Sequence, residues 1–173
     1  MDEMVARSLA KWPNVPAVYG WLSLDRRGNW LIRSAHGATP RSAHGATPRF
    51  ERIGNAALRE FIGRNYAADE RGCWFFQNGP QRVFVSLAYT PLVVHHEGDR
   101  LVDHCGRPYD AGTVYQDDEG SVLIAGEGAI ALLDDRDLAR YAEGAAELPR
   151  IAKAEVPQRF GFVQLPAVSL RRP

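Results

Sequence analysis

The sequence predicts an α+β fold, mainly antiparallel β-sheet, with about seven to nine strands and about three helices. Two observations lead there. Short apolar runs with period-two alternation are separated by turn signals. Three other segments carry an apolar stripe at helical spacing. The length of 173 residues suits one domain over 1–173, and no linker divides it.

The first helix is expected over residues 2–12, where Val5, Leu9 and Trp12 share a face and Asp2 stands at the cap. Pro13 and Pro16 end it. Val18–Leu24 forms a strand with bulky Tyr19 and Trp21, and the turn at Asp25-Arg26-Arg27-Gly28 returns the chain as 29–32. A second helix begins at Asn55, with Leu58, Phe61, Ile62 and Tyr66 on one face. After a turn at Asp69–Gly72 comes the aromatic run 73–76. In the strand 82–89, Val83, Val85, Leu87 and Tyr89 alternate with Phe84, Ser86 and Ala88. Further strands are expected at 92–95, 101–104, 113–115, 121–125 and 129–133. A last helix is expected at 135–147, striped by Leu138, Tyr141, Ala142 and Ala145. The proline-spaced tail, 149–173, is expected to be extended, with an edge strand at 160–163.

Residues 33–40 and 41–48 are the same octapeptide, RSAHGATP, in tandem. The unit has no large apolar side chain and is too short for a solenoid repeat. Its composition cannot bury enough surface to offset the entropy of ordering, so 33–48 is expected to be an exposed loop. His36 and His44 are then copies of one another.

Charge and composition exclude several functional classes. Twenty-one basic residues balance twenty-one acidic ones, whereas a nucleic-acid binder or polybasic membrane module needs a positive excess. Only Lys11 and Lys153 are lysines; the arginine bias accompanies abundant alanine, as coding bias produces. Two cysteines make neither a disulfide scaffold nor a four-cysteine zinc site. No run is long enough for a membrane-spanning helix, and the start has no apolar h-region. The expectation is a cytoplasmic protein without nucleic-acid or membrane partners.

The catalytic motifs are missing: no phosphate loop, no nucleophile elbow, no His-Glu-x-x-His, no Cys-x-x-Cys. His95, His96, Asp103, His104 and Cys105 form the one ligand-rich cluster. Strand alternation sends His95 and His96 to opposite faces, so no metal and no cofactor is expected. Asp117-Asp118-Glu119 lacks the spacing of a calcium loop and suits an acidic hairpin turn. Cys73 suits a small buried apolar role. Most distinctive is Trp74–Arg82. Asn-Gly favours a tight hairpin, but Pro80 follows and has no N–H to give, so a wider loop displaying its amides is expected. Gln77, Asn78, Gln81 and Arg82 are the candidate binding residues, because amide pairs and guanidinium forks read polar ligands. His104 is a further candidate.

The segments KWPNVPAVYGWLSLD, FIGRNYAADERGCWFFQNGPQRVFVSL and DHCG resemble an uncharacterised proteobacterial family of unknown function. The resemblance covers residues 1–138, with WFFQNGPQRV its most specific part; the doubled octapeptide is not in the pattern. The order of elements is also distantly similar to a second uncharacterised, β-rich bacterial family. Neither resemblance implies an activity. The residues favour a non-catalytic binding or regulatory module for an unknown protein or small-molecule ligand. A structural or oligomerising protein (a homo-oligomer) and a hydrolase-like enzyme with His104 as base, helped by Asp103 or Asp117, are the alternatives.

Overall fold

A computed structural model describes residues 1–34, 49–126 and 128–167. Most of the octapeptide loop, 35–48, lies outside the described residues. Among these, twelve strands form two six-stranded sheets. The first contains β1 (Val18–Leu24), β2 (Trp30–Arg33), β3 (Phe50–Arg52), β4 (Tyr66–Ala68), β5 (Trp74–Asn78) and β6 (Gln81–Leu87), in the order β3-β2-β1-β6-β5-β4. The second contains β7 (Leu92–Glu97), β8 (Arg100–Asp103), β9 (Ala111–Asp117), β10 (Val122–Gly126), β11 (Ile130–Leu133) and β12 (Arg150–Ile151), in the order β12-β9-β10-β11-β7-β8. The helices are α1 (Glu3–Lys11), α2 (Ala56–Arg64) and α3 (Val156–Arg159).

The α+β class holds, but the sheets are mixed and carry more strands than expected. Three pairs are parallel: β1 with β6, β7 with β11, and β9 with β12. Hairpin spacing in a sequence reports only neighbours along the chain. Parallel pairs join segments far apart in it.

The two sheets repeat one path. A hairpin (β1-β2, then β7-β8) is followed by a three-stranded meander (β4-β5-β6, then β9-β10-β11), whose last strand lies parallel to the hairpin's first. The detail matches too. Ala88 N–H, just past β6, donates to Leu24 O at the end of β1; Asp134 N–H, just past β11, donates to Val94 O in β7. The link from β6 to β7 is short and buried, through Tyr89, Thr90 and Pro91. One apolar core draws on both sheets, with Trp30, Val85, Val94, Leu123, Ile124 and Leu133 almost fully enclosed. On the other face of β6, Phe84 joins Phe75 and Cys73 in a second, smaller cluster.

Four turns share a single device. Asp25-x-x-Gly28, Asp69-x-x-Gly72, Asp103-x-x-Gly106 and Asp117-x-x-Gly120 each place one carboxylate oxygen 2.7–3.0 Å from two backbone amides, two and four residues on. In every case the glycine N–H donates to the aspartate carbonyl, and the aspartate N–H donates to the carbonyl four residues on. The glycine takes φ between +75° and +86°. This is a type I turn with aspartate first, closed by a left-handed glycine. The aspartate supplies the acceptors that the tight reversal takes from the backbone.

Local differences from the expectation have physical causes. Residues 135–147 form two 3-10 segments, Asp135–Tyr141 and Ala145–Glu147, instead of an α-helix. Asp134 does cap, taking the Arg136 amide. Ala142 stays exposed, however, and Gly144 turns to φ +86°. Asp2 does not cap α1, because its carboxylate pairs with Arg64 instead. Tyr66 belongs to β4 and not to α2, which stops at Asn65; there the side-chain amide donates to Phe61 O. Residues 160–163 form no strand, only one parallel bridge between Cys73 and Val163. Within the tail, β12, a 3-10 turn and α3 occupy residues 150–159.

Asp117 differs from Asp25 in burial. Asp117 is fully enclosed and also accepts from the Tyr89 hydroxyl at 2.8 Å. Asp117→Ala leaves the Tyr89 hydroxyl unpartnered in the interior and takes the acceptor from two turn amides, and is expected to cost about 3 kcal/mol. At the more open Asp25 the same change costs about 1–2 kcal/mol. Urea denaturation measures both; equal losses would mean that burial does not set the strength of these turns.

Candidate functional site

The Asp103 turn, which follows β8 of the second sheet, packs against the first sheet and carries His104 and Cys105. Asp103 is buried and holds both turn amides with one carboxylate oxygen, while its other oxygen takes Arg107 Nε at 2.8 Å. His104 docks on β7 through two bonds: its N–H donates to Val93 O, and Val93 N–H donates to His104 Nδ1 at 3.3 Å. The ring packs against Trp30 and Tyr66, with centroids 5.1 and 5.7 Å away. Gly28 of the first turn lies against it; a Cβ there would sit 2.6 Å from His104 Cβ.

These contacts fix the proton on His104. Nδ1 accepts from Val93, so the neutral ring carries its hydrogen on Nε2, which faces Cys105 Sγ at 3.5 Å. Burial lowers the His104 pKa to about 4 and pushes the Cys105 thiol up to about 12. The pair has the spacing of a nucleophile and its base, but both partners are neutral. A reactive cysteine needs the opposite shifts. As a lone base His104 fares no better, because its free lone pair is already used by the Val93 amide.

Helix α2 supplies the facing wall. Ala56, Arg59, Glu60 and Gly63 lie on one helical face, and Gly63 rides directly on Cys105, where a Cβ would be 3.1 Å from Cys105 Cβ. Between α2, the end of β3 and the two turns lies a cleft of ≈ 370 Å³, lined by Asn29, Trp30, Arg52, Arg59, Glu60 and His104, among others. Arg59 is partly buried. Arg52, Arg59 and Glu60 have no side-chain hydrogen bond or ion pair among the described residues. Sequence reading singled out His104 and missed the rest. The spacing 56, 59, 60, 63 on a capped helix was the available signal.

The Trp74–Arg82 segment is a tight hairpin, not a wide loop. Asn78 pairs with Gln81, leaving Gly79 and Pro80 as the two central residues, with Gly79 at φ +56°. A primed turn needs positive φ at its first central position, and Pro80 occupies the second, which donates no closing bond. The asparagine precedes the turn centre by one place. Two of the three amide side chains, Gln77 and Gln81, donate within the chain. Gln77 is fully buried, with Nε2 donating to Gly79 O at 2.9 Å and Oε1 unpartnered. Gln81 Nε2 donates to Pro16 O at 3.2 Å, and the Arg82 guanidinium covers the Phe75 ring at 4.6 Å. Asn78 and Arg82 are exposed.

The other ligand-type residues separate. His95 Nε2 lies 3.4 Å from Glu97 Oε1, and His96 Nε2 lies 3.1 Å from the Tyr141 hydroxyl. Among the described residues no three His, Cys, Asp or Glu side chains converge as metal ligands. Asp117 holds its turn, Asp118 accepts the Lys153 amide, and Glu119 pairs with the Lys153 ammonium.

DUF2944, described as a protein of unknown function (DUF2946), matches residues 1–167. The chain belongs to this family. Two solved structures are similar in fold, both of DUF1285 family proteins. The one from Silicibacter pomeroyi has a TM-score of 0.48 and 17% identity, covering 83% of this chain and 84% of its own. The one from Shewanella baltica has a TM-score of 0.46 and 14% identity, covering 70% and 90%. No curated protein matches. The function of the family is unknown, and none of these relatives supplies an activity. Among the described residues no helix is long and apolar enough to cross a membrane.

His104 makes the stability of the protein depend on pH. In the unfolded chain it takes up a proton near its ordinary value, about 6.5, whereas in the fold it resists until about 4. The unfolded state therefore binds more protons between those values, and stability falls as pH drops through that window. His104→Gln is expected to flatten the decline in urea midpoint between about pH 6.5 and 4. An unchanged profile would show that His104 titrates freely in the folded protein.

Proposed function

We propose that the protein is a non-catalytic cytoplasmic binding module whose ligand is a small anion, carboxylate- or phosphate-bearing, seated in the cleft between α2 and the first and third aspartate turns. Arg59 carries the proposal. It is a partly buried residue on the wall of a cleft, and its guanidinium has no counter-ion among the described residues. Arginine matches carboxylate and phosphate geometry with two parallel bonds. Arg52 lines the same cleft and adds positive charge. The volume lies within the range of small-molecule sites. Glu60 limits the charge of the ligand. The neutral His104–Cys105 pair supports binding without chemistry.

The probes are inorganic phosphate and acetate, followed by amide NMR. Saturable shifts are expected at Ala56, Arg59 and Gly106. Arg59→Ala, a change outside the core, should leave the spectrum of the rest of the chain intact and weaken affinity about tenfold, as loss of a charge-assisted bond does. Equal binding by the variant, or no saturable shift with either anion, would overturn the proposal.

A further inference from the structure

Trp30 marks the cleft beside α2 independently of its arginines. The side chain is 2% exposed, packed against Tyr66 and His104, and the residue lines the cleft. A buried indole N–H usually finds an acceptor inside the protein. That of Trp30 has none among the described residues. It is not sealed either: the unpartnered side-chain atoms closed off from solvent are Gln77 Oε1 and His96 Nδ1. An almost wholly enclosed tryptophan with an open, unpartnered N–H presents that donor where it meets the cleft. Unlike a guanidinium at the rim, this donor sits on a fixed ring and cannot turn away into bulk water.

The lining then holds donors on three elements, Trp30 from β2, Arg52 from β3 and Arg59 from α2. Glu60 is the carboxylate among them, and it pairs with neither arginine. Donors on three elements suit a tetrahedral oxyanion, whose oxygens point in different directions. A planar carboxylate presents two oxygens to a single fork. The carboxylate of Glu60 discriminates further, because it only accepts. Sulfate is fully ionised, offers acceptors alone and is repelled there. A phosphate that keeps a proton carries one O–H, which Glu60 can accept.

We propose that the group seated in this cleft is a protonated phosphate, as the free ion or at the head of a monoester. The Trp30 indole N–H and the two arginines donate to its oxygens, and Glu60 accepts its O–H hydrogen. The assignment rests on the cleft being an anion site and names the anion.

Proton–nitrogen NMR of the full chain tests this at about pH 6, near the second pKa of a phosphate monoester, where much of either source keeps a proton. On titration with inorganic phosphate the Trp30 indole resonance should move saturably. The phosphate Kd should lie about tenfold or more below those of sulfate and acetate, as one added charge-assisted bond provides. Glu60→Gln, a change at an exposed residue, should abolish the preference by letting sulfate bind as tightly as phosphate. Methyl phosphate distinguishes the sources: tighter binding than inorganic phosphate marks a monoester head, and weaker binding marks the free ion. A Trp30 indole resonance that stays still while the Ala56 and Arg59 amides move would overturn the assignment and leave the anion cleft standing. Equal binding of sulfate and phosphate by the wild type, or a phosphate preference that survives Glu60→Gln, would do the same. No saturable shift with any of the anions would overturn the cleft itself.

Discussion

An aspartate carboxylate closing a reversal over two backbone amides is the interaction on which this structure depends. It occurs four times, at Asp25, Asp69, Asp103 and Asp117, with the same glycine three residues on. Three of the turns join adjacent strands, β1 to β2, β4 to β5 and β9 to β10; the fourth follows β8 and sends the chain back toward β9. A hairpin register is set by its turn, so each aspartate decides which side chains reach the core. The turns also bind to each other. Arg26 of the first reaches Ser121 of the fourth at 2.8 Å, and Gly28 of the first lies on His104 of the third. The second is held by the C-terminal segment, where Val163 N–H donates to Gly72 O.

This arrangement explains why the cleft lies where it does. Strand interiors are committed to packing, whereas turns and the helix beside them keep side chains at the surface on a rigid base. The cleft forms where two aspartate turns meet α2. It combines a fixed backbone with charged groups that the chain itself leaves unpaired. His104 and Cys105 look like a reactive pair on distance alone, yet the enclosure that positions them also keeps both neutral.

Much of the fold was legible in the sequence. The alternation in 82–89 placed Val83, Val85 and Leu87 on one face and Phe84 on the other, and the two clusters separate them in the same way. Three of the four aspartate turns were visible as turn signals. The Asp103 turn was hidden because its histidine and cysteine suggested ligand chemistry. Parallel pairing was not legible, since it depends on contacts distant along the chain. Edge strands of two or three residues, such as β3, β4 and β12, are too short for alternation to show. Of the candidate site, His104 could be found by residue type. Arg59 could not, because its significance lies in what is missing around it, and a missing counter-ion is visible only in three dimensions.

Amide hydrogen exchange at the turns tests the central claim most directly. The amides of Arg27, Asn29, Arg71, Cys73, Cys105, Arg107, Glu119 and Ser121 lie in reversals, where exchange is ordinarily fast. If the aspartate carboxylates hold the frame together, these amides are protected to within about tenfold of the core strand amides of β6 and β10, and open only with them. Exchange at the rate of unstructured loop amides, while β6 and β10 remain protected, would show that the sheets hold their register without the turns and would contradict the account.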